Sequence, residues 1–123
     1  MEYQEKLKEI LGGIRPQFEI LGTFAFTGEG DETEVVNAFK EAYEGYSKAK
    51  ELTKEEFGNA EVELAAGQTW CDPAGGTFGE EDSEMLAAYE LAKSMGMLPP
   101  PLMMRLSDFI FKMNHYFIAA QNL

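Results

Sequence analysis

Cys71 and His115 are the chain's single cysteine and single histidine, so thiolate catalysis would have to run through this one pair. Nothing in their spacing brings them together. An unpaired cysteine ordinarily behaves as a small, inert, semi-buried residue. His115 falls in register with a charged helical stripe, which makes it a solvated or hydrogen-bonded surface histidine. The stretch Cys71-Asp72-Pro73-Ala74-Gly75-Gly76 has the glycines of a phosphate loop. It lacks the Gly-Lys-Ser/Thr of a Walker motif and the strand-to-helix setting of a dinucleotide site, so it reads as a turn. Carboxylate pairs suited to hydrolysis occur at every spacing among 22 acidic residues and single out none. One cysteine and one histidine exclude a Cys/His metal cage. Neither Asp31-Glu32-Thr33-Glu34 nor Glu80-Glu81-Asp82-Ser83-Glu84 has the alternating ligands and central glycine of a calcium loop. The expectation is a protein with no catalytic residues, no metal and no cofactor, a small hydrolase-like enzyme being the third of three readings.

Charge carries more information than any motif. The chain holds 22 Asp and Glu against 10 Lys and Arg, a formal charge of −12. Residues 1–54 hold 11 acids and 7 bases, residues 55–92 hold 10 acids and no base, and residues 93–123 hold 1 acid and 3 bases. The middle of the chain therefore carries most of the imbalance. Soluble surfaces usually intersperse both signs, because unrelieved like charge opposes compaction. A one-signed face steers association with an oppositely charged partner. The predicted partner-binding residues are Glu80, Glu81, Asp82 and Glu84, supported by Glu55, Glu56, Glu61 and Glu63, with a second cluster at Glu29, Asp31, Glu32 and Glu34. Apolar anchors are expected at Trp70, Phe78 and Met97. Six of the seven methionines fall in 85–113, beside Pro99-Pro100-Pro101. They fill a core, or form an adaptable contact patch around Met95, Met97, Leu98, Leu102 and Met103.

These features predict a non-catalytic binding protein whose acidic face docks on a basic protein. Its most concrete form is an inhibitor occluding the nucleic-acid-binding surface of a DNA- or RNA-binding protein, carboxylates standing where phosphates lie. Acidic inhibitors of phage or mobile-element origin offer an analogy in size and charge alone. The second reading is a structural or assembly subunit that self-associates as a homo-oligomer through the C-terminal helix or the 17–27 strand.

A pI near 4.4 argues against direct nucleic-acid binding and against docking on anionic lipid. No uncharged run exceeds 11 residues, short of the roughly 17–20 that a membrane helix needs. The N-terminal Met-Glu-Tyr-Gln-Glu lacks the basic start of a secretory signal, and a cytoplasmic location is expected. At 123 residues, with 45% apolar residues, the chain reads as a single globular domain, 1–123, able to bury a core.

The elements that must position these residues read as α+β: four to five helices and one strand in a small sheet. Helices are predicted over 2–11, 32–51, 54–67, 81–95 and 102–122. Gly12-Gly13 and Arg15-Pro16 are expected to end the first. Residues 17–27 place Phe18, Ile20, Gly22, Phe24 and Phe26 on one parity, the signature of a strand. Its partner would be a segment near 60–72 or the same strand of a second copy. Asp31/Glu34 and Thr53/Glu56 have capping-box spacing. Residues 60–66 alternate well enough to be a strand instead, and 67–79 form an irregular loop. In the last helix Arg105, Asp108, Lys112, His115 and Asn122 make one narrow polar stripe. The remainder is apolar enough for a central core helix or a contact between copies.

Overall fold

The computed structural model describes residues 2–57 and 78–121, apart from the side chains of Phe57, residues 78–82 and Ala119. The predicted helical end and alternative strand over 58–67, the 67–79 loop short of residue 78, and with them Glu61, Glu63, Trp70 and Cys71, lie outside the described residues. Five helices follow in order: α1 (Tyr3–Thr27), α2 (Glu32–Phe57), α3 (Phe78–Met95), the single turn α4 (Pro100–Met103) and α5 (Leu106–Gln121). There is no strand among the described residues: they are all-helical, and the expected α+β fold with a strand over 17–27 is corrected.

The error lies in 17–27, which form the last turns of α1. Phe18 and Phe24 satisfy a period of two and a period of 3.6 alike. The deciding residues are Leu7, Leu11, Ile14 and Leu21, all buried. With the half-buried Phe18 they step by 4, 3, 4 and 3, an unbroken helical stripe. Phe26, inward-facing in the strand reading, is 81% exposed. Neither expected break interrupts the helix. Pro16 lies inside it, where it removes one hydrogen bond to the Gly12 carbonyl and crowds that turn. Both residues face solvent, where water can serve the freed carbonyl. Gly28, at φ 74°, closes α1 instead.

α2 is likewise continuous through the predicted interruption at 52–53. Thr53 does not cap a new helix. Its buried hydroxyl donates back to the Ala49 carbonyl at 2.9 Å, the mid-helix habit of threonine. The expected cap at the other end does form, with the Glu34 N–H donating to Asp31 Oδ2 at 3.3 Å.

α1 and α2 pack antiparallel: Tyr3 meets Thr53, Ile14 meets Gly45, and Gln17 donates to Glu41 at 2.6 Å. Ala38, Ala42, Gly45 and Ala49 of α2 form a buried small-residue row stepping by 4, 3 and 4, and Ile14 of α1 packs against its Gly45. A Cβ added at Gly45 would lie 2.5 Å from Ile14 Cγ2, so glycine permits this approach. α5 runs parallel to α2, since Phe39 meets Phe109 at 5.8 Å and Tyr46 meets Tyr116 at 5.3 Å. Equal seven-residue steps on the two helices keep the aromatics in register. Tyr3 ties all three helices together, its hydroxyl contacting Thr53 Oγ1 at 2.9 Å and the Ala120 carbonyl at 3.1 Å. α3 joins α2 through Tyr43 and Tyr89, stacked at 4.8 Å.

The predicted 102–122 helix is two elements. The triple proline starts the first of them: Pro99 is the N-cap of α4, with Pro100 and Pro101 in its first turn. Proline is tolerated there because first-turn N–H groups have no intrahelical partner. The polar stripe of α5 does not face solvent as a unit. Lys112 is 1% exposed, whereas Phe111 and Ile118 are 44% and 53% exposed. Among the described residues no helix is long and apolar enough to cross a membrane.

Candidate protein-binding surface

His115 sits half-buried on α5, its ring 3.9 Å from that of Phe111. No group of three or more His, Cys, Asp or Glu among the described residues could hold a metal ion.

The predicted acidic residues fall into separate places. Glu29, Asp31, Glu32 and Glu34 are exposed at the α1–α2 reversal. This corner is built by Gly28 and by Gly30, at φ 141°, a backbone that other residues rarely adopt. Glu55 and Glu56 are exposed in the last turn of α2. From Glu34 to Glu55 the helix rises roughly 32 Å at 1.5 Å per residue, so these two groups do not converge. Glu84 is not a free carboxylate: it accepts from Arg105 Nη1 at 2.5 Å, while Arg105 Nε binds Asp108 at 2.7 Å. Glu80, Glu81 and Asp82 lie in the first turns of α3, which begins at Phe78. Their side chains, like that of Phe78, are outside the described residues.

Two concavities meet at Gly30. On one side is an open groove of about 620 Å³ lined by Phe24, Glu32, Met97, Leu98, Pro100, Met103 and Met104. Leu98 is buried and forms its floor, while Met104 is 82% exposed on its wall. Gly96, left-handed at φ 66°, ends α3 and turns the chain into 97–99, and the α4 prolines then bring Met103 and Met104 back to the groove. On the other side is a hollow of about 430 Å³, lined by Pro16, Glu19, Ile20, Thr23, Glu29 and Glu34. No described lysine or arginine lines either one. The result is an apolar slot bordered by carboxylates, suited to apolar side chains with cationic neighbours.

Met97, one of the expected apolar anchors, lines this groove beside the second acidic cluster rather than the first. Glu19 was missed. Its signal was present, for residues 16–39 contain five acids and no base. A strand over 17–27 followed by a helix from 32 splits that stretch between two elements, whereas the α1–α2 reversal gathers it at one corner.

Tyr89 and Tyr43 line a third concavity with Glu44 and Lys48. The Tyr89 hydroxyl donates to Glu44 at 2.6 Å. That bond, with burial and the carboxylate charge behind it, pushes the phenol up to about 12. Burial pushes Tyr3 in the same direction.

Comparison with protein-family models, curated proteins and solved structures found no match for this chain.

Proposed function

We propose that the chain is a non-catalytic, cytoplasmic protein-binding module that docks an acidic surface on a basic partner protein. The observation that supports this best is the shared edge at Gly30, where an open methionine-lined groove adjoins a hollow bearing Glu19, Glu29 and Glu34. Carboxylates would steer encounter and set orientation, whereas burial of apolar anchors would slow dissociation. The concrete form is occlusion of a partner's nucleic-acid-binding surface. A basic channel already selects for spaced negative charge, so a corner carrying Glu29, Asp31, Glu32 and Glu34 is a competitor for it. With Glu84 tied to Arg105, the α1–α2 corner replaces the start of α3 as the first target for mutation.

The test is capture of basic nucleic-acid-binding proteins on the immobilised chain, eluted by rising salt and by duplex DNA or RNA. The triple variant E29K/E32K/E34K should lose capture by roughly tenfold or more, the range for hot-spot charges, with an unchanged circular dichroism spectrum. Undiminished capture by the folded variant would sink the proposal.

A second reading, self-association through α5, is favoured by the exposure of Phe111 and Ile118 beside an α1–α5 groove of about 430 Å³. Light scattering decides it. A closed oligomer dissociated by I118E supports it, and a monomer at micromolar concentration removes it.

A further inference from the structure

We infer that the groove between α1 and α4 takes a cationic amphipathic helix of the partner, its apolar face in the methionine slot and its Lys or Arg flank against the α1–α2 corner. This rests on the proposed binding function and specifies its ligand.

The chemistry of the lining excludes the other occupants one by one. Beta-strand addition needs an unpaired sheet edge, and there is none among the described residues. A small ligand wants enclosure and convergent polar groups, but this slot is open and its floor is Leu98 and Phe24. An anionic lipid surface would be repelled by Glu29, Asp31, Glu32 and Glu34. A second copy would bring another −12 toward a carboxylate rim. A helix with anchors at i, i+3, i+4 and i+7 needs an apolar slot, and one with cations on its flank gains from an acidic border. Met97, Met103 and Met104 supply unbranched, polarizable walls that adapt to differently shaped anchors. Charge complementarity fixes the sign of the flank: Glu32 lines the slot itself, and Glu19, Glu29 and Glu34 line the hollow across Gly30.

The probe is a synthetic leucine–lysine peptide with leucines at i, i+3, i+4 and i+7. Its control has the same composition with the leucines scattered around the helix. Titrated by calorimetry into the full chain, the amphipathic peptide should bind at least about tenfold tighter than its scramble. M97E and M104E alter exposed residues and keep the fold. Each should remove that preference, and E29K/E32K should weaken binding of both peptides. Equal binding of the two peptides, or indifference to M97E and M104E, overturns the helix-in-groove inference while leaving acidic docking standing. Failure of the amphipathic peptide to bind, with capture of basic proteins intact, also overturns it. Loss of that capture in the wild type would remove the broader proposal as well. A self-associated wild type made monomeric by M104E would assign the groove to a second copy and overturn the inference.

Discussion

Gly45 and Ile14 show how much one hydrogen atom in place of a methyl group can decide. Alanine is the better helix former by about 1 kcal/mol, and propensity alone favours G45A. The added Cβ would stand 2.5 Å from Ile14 Cγ2 and 3.6 Å from Ile14 Cβ. A β-branched side chain has little χ1 freedom in a helix, so the helices themselves must part. G45A should therefore destabilise by about 1–2 kcal/mol in urea unfolding, the range for overpacking. In an I14A background the same substitution should be neutral or stabilising, because the two sites are coupled. Additive effects would refute the close-approach account. Tyr89 gives a second expectation at this scale. Its folded-state value, about 12, exceeds the ordinary 10. The stability it contributes is therefore fully present below pH 10 and is lost as pH rises through about 12. Phenolate absorbance should show a high-pH component that Y89F removes. A Y89F curve retaining that component would assign it elsewhere.

At the scale of elements, α1 carries the clearest consequence. Proline in a helix interior is about 3 kcal/mol less favourable than alanine, yet the buried stripe Leu7–Leu11–Ile14–Leu21 holds the helix through Pro16. P16A restores the hydrogen bond to the Gly12 carbonyl at a solvent-facing position. It should stabilise the domain by about 1–3 kcal/mol, checked by thermal unfolding, and a lowered melting temperature would show that the proline relieves rather than adds strain. The same helix marks what was legible in the sequence. α3 and its Gly96 stop, the Asp31 cap and the buried side of α5 could be read from local spacing, because caps and stripes act within one or two turns. The strand at 17–27 could not be corrected locally. Phe18 and Phe24 fit both periods, and Leu21 decides between them only once it is buried in the bundle. Of the proposed binding surface, Met97 and the Asp31 cluster were legible singly. Their adjacency was not, because it depends on the chain returning through α4 to the α1–α2 corner.

For the molecule as a whole, charge and core act in opposition. A formal −12 on 123 residues stores self-repulsion that screening relieves, with a Debye length falling from roughly 30 Å at 0.01 M to 8 Å at 0.15 M salt. The melting temperature should rise over that interval, while affinity for a basic partner falls. A melting temperature that drops with salt would mean that the Arg105–Glu84 and Arg105–Asp108 pairs outweigh the net repulsion. The aromatic contacts of the core should not respond, since Tyr3, Phe39, Tyr46, Phe109 and Tyr116 hold the bundle by area and ring geometry.

The junction of Tyr3 with Ala120 has a practical reach beyond stability. Gln4 donates to the Gln121 carbonyl beside it at 3.2 Å, so both outermost described turns share one pole of the bundle. Phe24, at the groove, lies roughly 32 Å along α1 from Tyr3, at 1.5 Å per residue. A bait anchored to a bead or sensor chip through an exposed side chain of this pole, such as Gln4, would present its groove outward. A fluorophore attached there would leave the opposite pole unobstructed.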